Sequence, residues 1–342
     1  MKKRLLSVAL LALVFKNTNA QLTKLDDVKK SLETTNRDTI AWAHGGVFNI
    51  GMNEGFLHNW SAGGELASVT INGIFSGHLD KLHYRLIWSN NLDINYGLTY
   101  AYSTSFIPHK TDDRIDFTSK YGIRIDSSKR FYFTGLFNFK SQFTKGYDYT
   151  LTDFKKSPTS DLFAPAYFTT ALGVEFRKGS DITVFLSPLA GRLTVADKKY
   201  TTLTAQGAFG IPFGKTQYYQ FGAYFSGRDQ FSLGKKTIYK TRLDIYSNYL
   251  AKDTKDSLGK VIKKDNPANI SLLFDNLISW KITKALNITF GATFIYDNNF
   301  PYSKTYLDPK TSQNINKDDP GRNMGWLQIK QIFALGLEYK FR

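Results

Sequence analysis

The stretch from His83 to Tyr102 alternates apolar and polar side chains, with Asn90 and Ile87 as the exceptions, and this pattern strongly constrains the fold. Successive side chains of a β-strand point to opposite faces, so the alternation predicts a strand whose two faces meet different surroundings. At about 3.3 Å per residue, this strand is long enough to cross a bilayer, for which roughly 9–11 residues are needed. One face consists of Tyr84, Leu86, Trp88, Leu92, Ile94, Tyr96, Leu98 and Tyr100, and the other of Arg85, Ser89, Asn91, Asp93, Asn95, Gly97 and Thr99.

The same alternation recurs along the chain, most clearly in segments 113–126, 130–143 and 285–297. A soluble β-sandwich can also contain two-faced strands, but so many long ones favour a different architecture. In a bilayer every backbone polar group must be paired, and a closed barrel of antiparallel strands meets that requirement with an apolar outside and a polar inside. The sequence therefore predicts an all-β fold, a transmembrane antiparallel β-barrel.

The connections between the strand-like segments indicate the number of strands. A barrel with an even number of strands and both termini in the periplasm alternates short periplasmic turns with long outer loops. Short and long connections alternate here without interruption when twelve strands are assigned, and ten and fourteen are the alternatives. The segment 201–210 would break the alternation as a further strand, so we place it in the fourth outer loop. The predicted strands are 47–54, 66–76, 82–102, 113–126, 130–143, 166–177, 181–193, 217–231, 236–249, 269–281, 285–297 and 325–341, with short turns at 77–81, 127–129, 178–180, 232–235 and 282–284.

The N-terminus has the pattern of a signal peptide over residues 1–20. A basic start is followed by an apolar run, Leu5 to Phe15, and by a sequence suited to cleavage before Gln21. The run is too short for a membrane-spanning helix, which needs about 20 residues. We expect residues 21–45 to form a short periplasmic segment, either a helix or a disordered lead-in, and residues 46–342 to form a barrel in the outer membrane of a Gram-negative cell.

Composition limits the chemistry and the partners of the chain. There is no cysteine, which excludes disulfides, thiolate metal sites and a lipid-modified cysteine anchor. The formal net charge is +16, and removing the four cations of the signal peptide leaves +12. No basic helix or compact Lys/Arg cluster indicates nucleic-acid binding. The excess suits attraction to outer-membrane lipid, including lipopolysaccharide, or to a small anionic solute, and the barrel-assembly machinery is the expected partner during insertion.

Several stretches together resemble one bacterial family over nearly the whole mature chain. They are WSAGGE (60–65), LDINYGL (92–98), KTDDRIDFTSKYG (110–122), LFNFKSQFTKGY (136–147), APAY (164–167), FLSPLAGRL (185–193), AFG (208–210), FGAY (221–224) and LDIYSNYL (243–250). The family is catalogued as domain of unknown function 3078 and comprises outer-membrane barrels of mainly Bacteroidota-type Gram-negative bacteria. The resemblance implies a location and an architecture, but no activity.

No strong catalytic or metal motif stands out. His109 with Asp112 and Asp113 falls in the predicted second outer loop, where a rim hydrolase would need its residues, but a solvated charged turn is the simpler interpretation. His78 and Asp80 are assigned to a periplasmic turn. Trp60 with its neighbouring glycines is assigned a structural role at the rim, in preference to ligand binding. We therefore expect no enzyme, no cofactor and no metal, and carbohydrate stacking on the loop tyrosines 147, 149, 302 and 306 is a minor alternative.

The charges on the polar face offer the best functional candidates. Charges inside a narrow lumen must either pair across it, which closes the barrel, or be hydrated along a channel. The leading hypothesis is a narrow channel or binding barrel for a small polar or anionic solute. A closed barrel that acts as a partner in envelope assembly or secretion is the alternative, and a rim hydrolase comes third. The predicted lumen-lining residues are Arg85, Asp93, Arg114, Asp116, Lys120, Arg124, Lys140, Glu175, Arg242 and Asp244.

Overall fold

A computed structural model describes most of the chain after residue 38. The described residues are 39–56, 67–149, 153–178, 181–203, 207–255, 259, 261–263, 265–283, 286–297, 305–307, 314–316 and 327–341. The predicted signal peptide, most of the predicted periplasmic segment, Trp60 and Tyr302 lie outside these residues.

Twelve antiparallel strands form one closed barrel in which each strand pairs with its neighbours in sequence. The ring is closed by pairing of the first and last strands, from Gly46 with Phe341 to Met52 with Leu335. This confirms the prediction of an all-β antiparallel barrel with twelve strands. The strands are β1 Thr39–Phe56, β2 Ala67–His83, β3 Leu86–Ala101, β4 His109–Arg124, β5 Phe131–Ser141, β6 Ala166–Lys178, β7 Ile182–Val195, β8 Gln217–Ser232, β9 Thr237–Asn248, β10 Ser271–Lys281, β11 Leu286–Tyr296 and β12 Gln328–Phe341.

The two faces of the strands reverse the usual arrangement of a soluble protein. Inward side chains are often polar and buried, as Asp116, Thr134 and Glu175 show. Outward side chains are apolar and exposed, and Leu186 and Leu337 expose 59% and 64% of their surface. A continuous apolar surface of this extent requires an apolar surrounding, as the outer face of a transmembrane barrel does.

The turn between β2 and β3 lies at Tyr84 and Arg85, so the predicted turn at 77–81 is wrong. His78 and Asp80 belong to β2, where they pair with Asn91 and Ser89 of β3. The outward apolar side chains form a band around the barrel, here called the apolar belt. Polar residues beyond this belt do not interrupt β2, because their backbone groups remain paired with β3. Tyr84 enters the turn with φ of 51°, a conformation that a tyrosine rarely adopts, and this explains why the sequence did not indicate it.

Two other predicted boundaries are also wrong. β1 begins at Thr39, inside the segment that was expected to precede the barrel at residue 46. β4 begins at His109, so His109, Asp112 and Asp113 lie in a strand and not in the second outer loop. The barrel strands therefore extend further from the apolar belt than the alternation indicated.

A bulge in β7 reverses the direction of the side chains along that strand. Ser187 pairs with Tyr224 and Ala190 pairs with Gly222, so that Pro188 and Leu189 together oppose one residue of β8. Proline has no N–H to donate and is tolerated at such a position. Before the bulge the inward residues are odd-numbered, and after it they are even-numbered.

Short turns join the strands at one end of the barrel, called the turn end, and long loops join them at the other, called the loop end. In their described residues, the loops contain a short helix, Lys198–Thr201, two 3₁₀ turns and three small two-stranded sheets. Residues 201–203 and 207–210 of the segment 201–210 lie outside the barrel sheet, as predicted. No helix in the described part of the chain is long and apolar enough to cross a membrane.

Candidate functional site in the barrel lumen

Strand β4 places charged side chains on its inward face, and several of them reach across the lumen. Arg114 contacts Asp275 of β10 at 3.4 Å, and β10 lies six strands away, directly across the ring. Asp116 contacts Arg242 of β9 at 2.8 Å. Nearer the loop end, Asp112 pairs with Lys330 of β12. The lumen is therefore crossed by ion pairs at more than one level.

Four residues form the central charge cluster: Asp116, Lys140, Arg242 and Asp244. Arg242 binds both carboxylates, at 2.8 Å to Asp116 and 2.6 Å to Asp244. Lys140 lies between the same carboxylates, at 3.7 and 3.6 Å. Asn138 donates to Asp116 at 2.6 Å. Charge-assisted hydrogen bonds of this kind satisfy buried carboxylates that would otherwise be very costly.

A second group, the turn-side cluster, consists of Lys120, Glu175 and Arg177. Glu175 is fully buried and accepts from Lys120 at 2.8 Å and from Arg177 at 3.0 Å. Arg177 also donates to Ser89 of β3 at 3.0 Å, across part of the lumen. One carboxylate thus compensates two cations in this cluster.

Apolar side chains fill the space around these charges. Leu136, Phe185, Tyr224 and Tyr246 form a buried core with Ala171 and Ala190 on the inside of β5–β9. The ammonium group of Lys120 lies 5.5 Å from the ring centre of Phe185. Side chains therefore pack the half of the lumen next to β4–β9, here called the packed half.

The inward side chains of β2, β3, β10 and β11 are smaller, and many are only half buried. Some pair with each other, as Ser76 donates to Asp93 at 2.6 Å and Thr70 lies 2.6 Å from Thr99. In a closed ring, an inward side chain of a strand can be exposed only to the lumen. This surface, called the open wall, comprises Thr70, Ser76, Asn91, Asp93, Asn95, Thr99, Asp275 and Thr293.

The structure brings six of the predicted lumen-lining residues into the two charge clusters: Asp116, Lys120, Lys140, Glu175, Arg242 and Asp244. Two further predicted residues also face the lumen. Arg114 forms the cross-lumen pair with Asp275, and Asp93 belongs to the open wall. Arg124 is half buried at the turn end of β4. Arg85 was expected in a strand but is exposed in the turn, where it donates to the Arg124 carbonyl at 2.9 Å.

The predicted list missed several inward charges, among them Arg192, Arg228 and Asp275. Arg192 follows the bulge of β7, so its direction cannot be read from the alternation before the bulge. Its guanidinium lies 3.9 Å from the ring centre of Tyr246. For Arg228 a signal was present, because β8 alternates Tyr224, Ser226 and Arg228 inward against apolar residues outward.

The loop end of the packed half is covered by two loops. Tyr200 packs with Ala164, Ala196 and Ile211, and its hydroxyl donates to Asp161 at 3.4 Å. Burial raises the pKa of the Tyr200 hydroxyl above its ordinary value. A small pocket below the loops is lined by Tyr167, Arg192, Thr194, Phe209, Tyr218, Gln220 and Asp297.

The three residues of the suggested rim site are engaged separately. The His109 ring stacks on Tyr149 at 3.9 Å between ring centres. Asp113 accepts from Lys110 and from the backbone N–H groups of Phe143 and Thr144, at 2.7–2.9 Å. Asp112 pairs with Lys330. These contacts position the loops and do not form a His–Asp pair.

Solved barrels of other proteins match the chain at low identity. They are the translocator domain of the autotransporter NalP from Neisseria meningitidis (9% identity, 93% of this chain and 95% of that one, TM-score 0.34) and the COG4313 outer membrane channel from Pseudomonas putida F1 (11%, 90% and 97%, 0.33). A third is the TodX monoaromatic hydrocarbon channel (9%, 87% and 89%, 0.31). None of these similarities assigns a function to this chain.

No curated protein matches the sequence. Residues 52–147, from the end of β1 into the third long loop, match the family described as protein of unknown function (DUF3078). This match confirms, over those residues, the family resemblance that the motifs indicated.

Proposed function

We propose that this protein is an outer-membrane β-barrel that serves as a narrow conduit for small polar or anionic solutes and carries out no catalysis. The apolar outer face supports a membrane location. Trp42, Trp88 and Trp280 all lie near the turn end and are 41–50% exposed. Tryptophans at such positions anchor proteins at the membrane–water interface, so they support insertion next to outer-membrane lipid, including lipopolysaccharide. An export signal and help from the barrel-assembly machinery are part of the same proposal.

The observation that carries the conduit is the open wall. Its side chains are polar, face inward and are half buried, although the ring around them is closed. Solvent therefore reaches them through the lumen. A passage along this wall would be eccentric and narrow, because side chains of the packed half occupy the rest of the cross-section.

The charges of the packed half support a preference for anions. The two charge clusters and the adjacent Arg192 and Arg228 together contain six cations and three carboxylates. With Arg114 and the two carboxylates of the open wall, Asp93 and Asp275, added, the sum is seven cations and five carboxylates. A solute in the lumen would therefore meet a modest positive excess, which low-dielectric walls strengthen. The surplus is smaller than the predicted list of basic residues indicated, because Arg114, Lys120, Lys140 and Arg242 each contact a carboxylate.

Conductance of the refolded protein in a planar bilayer tests the conduit. Asn91→Trp places a large ring on the open wall and should reduce single-channel conductance several-fold. Leu92→Trp is the matched control, because Leu92 is the adjacent residue on the outward face. A reversal potential in a salt gradient should show anion preference. A correctly folded but silent barrel, or equal conductance in the two variants, would refute the conduit.

The alternative is a closed barrel that acts through a partner in envelope assembly or secretion. The cross-lumen pairs Arg114–Asp275 and Asp116–Arg242 favour it, because their side chains reach across the lumen between strands five or six positions apart in the ring. A silent barrel that co-purifies from the membrane with a stoichiometric partner would support this alternative.

A further inference from the structure

Arg228 stands out among the inward cations because no carboxylate of the described residues forms an ion pair with it. It lies on β8 directly opposite Arg242 of β9 in the strand pairing. Like charges at directly opposed positions repel each other. Arg242 is compensated by Asp116 and Asp244. Within the described residues, Arg228 makes no ion pair and no side-chain hydrogen bond, and its Nε atom is buried without a partner.

The groups around Arg228 cannot supply the missing charge. Its electrostatic neighbours include Lys120, which carries the same sign, and Asp244, which already binds Arg242 and Lys140. In the adjacent turn-side cluster, Glu175 is the carboxylate that contacts both Lys120 and Arg177, and Asp80 of β2 adds a negative charge near Arg177. The Nε of Arg177 is nevertheless buried without a partner. Among the described residues, the two clusters and Arg228 together therefore carry more positive than negative charge, even with Asp80 included.

A buried polar atom without a partner, such as the Nε of Arg228, is rare. The Arg228 side chain as a whole is half buried and faces inward, so an anion in the lumen can reach it. A guanidinium cannot lose its proton in a protein, and its planar pair of N–H donors matches the two oxygens of a carboxylate or phosphate. We propose that Arg228, with Lys120 and Arg177 beside it, forms a binding site for a small oxyanion inside the lumen. This proposal rests on the proposed conduit in that the site would bind the anion that the conduit admits. The same site could also bind an anion in a closed barrel.

Binding of inorganic phosphate to the full chain in detergent micelles, measured by calorimetry, tests this site without requiring conductance. Arg228→Gln should weaken phosphate binding at least tenfold, and Arg228→Lys should restore part of it, because it keeps the charge but loses the paired donors. The matched control is Arg192→Gln. Arg192 pairs with Gln220, eight residues along β8 from Arg228, a separation of roughly 26 Å.

Equal weakening by Arg228→Gln and Arg192→Gln would overturn the site, because it would indicate a general effect of lumen charge. Absence of phosphate binding in the unmodified protein would overturn it as well. Arg228→Gln removes a repulsive contact with Arg242 and should fold normally, which the mobility of the unheated protein in gels would verify. If the protein binds phosphate through Arg228 but conducts no ions, the binding site stands and the conduit is refuted. If the protein conducts anions and Arg228→Gln changes neither the conductance nor phosphate binding, the conduit stands and the binding site is refuted.

Discussion

Replacement of Glu175 by glutamine should destabilise the barrel strongly, because it removes the carboxylate that both Lys120 and Arg177 contact. Lys120 and Arg177 contact Glu175 at 2.8 and 3.0 Å, and the exposed fractions of the Lys120 and Glu175 side chains are 5% and 0%. The amide still accepts a hydrogen bond, but its charge is gone. The lysine ammonium beside the Phe185 ring then has no compensating charge within the turn-side cluster.

The size of the expected loss of stability follows from the burial of the Lys120–Glu175 pair. Removing one partner of a buried ion pair costs about 3–5 kcal/mol, because the remaining charge stays in a low-dielectric site. At about 1.4 kcal/mol per factor of ten, that is a loss of roughly two to three and a half orders of magnitude in the folding equilibrium. Lys120→Met should cost less than Glu175→Gln, because Glu175 keeps its contact with Arg177. The double variant should lose less stability than the two single changes added together.

Reversible urea unfolding in phospholipid vesicles, followed by gel mobility and tryptophan fluorescence, measures these differences. Asp153→Asn is the control, because Asp153 pairs with Lys156 in a loop where both side chains are more than 70% exposed, and no measurable change is expected. The reasoning is refuted if Glu175→Gln costs less than about 1 kcal/mol, or if the two single changes add without coupling.

Three further predictions concern the wall of the barrel. Leu186→Arg places a charge on the outward face and should cost about 2–4 kcal/mol in lipid vesicles, and an equal effect in detergent and in lipid would contradict a membrane-facing position. Gly173→Ala should prevent stable folding or lower the urea midpoint sharply, because an added Cβ would lie 2.1 Å from the Leu186 carbonyl oxygen, whereas the control Gly135→Ala meets its nearest atom at 3.5 Å. In a variant with Trp88 as its only tryptophan, lipids brominated near the headgroup should quench fluorescence more than lipids brominated near the bilayer centre. The reverse order would contradict the position of the turn end at the membrane–water interface.

Local patterns were sufficient to predict most of the barrel. The alternation of side chains predicted the faces of strands such as β4 and β11, because the direction of a side chain in a regular strand depends only on its position. Parity of long and short connections gave twelve strands. The same patterns failed at strand ends, since residues 77–81 continue β2 and Tyr84 forms the turn. Outside the apolar belt, backbone pairing does not require an alternation of apolar and polar side chains, so the sequence does not show where the strand ends.

The candidate site was predicted as a set of residues but not as an arrangement. Asp116 and Arg242 are 126 residues apart in the chain, and Arg114 and Asp275 are 161 apart. Nothing in the local sequence shows which charges meet across a ring of strands. Arg192 could not be assigned at all, because the bulge at Pro188 reverses the inward side of β7.

By itself, the sequence determined that this chain forms a barrel with an apolar outside and a charged inside, because two-residue periodicity and loop lengths are local properties. Only the tertiary structure decided which charges are compensated. That depends on the register of each strand and on its place in the ring, which together bring distant residues to within a few ångströms. The compensated pairs pack one half of the lumen, and the open wall remains accessible in the other. Among the residues that the structure describes, none forms an ion pair with Arg228.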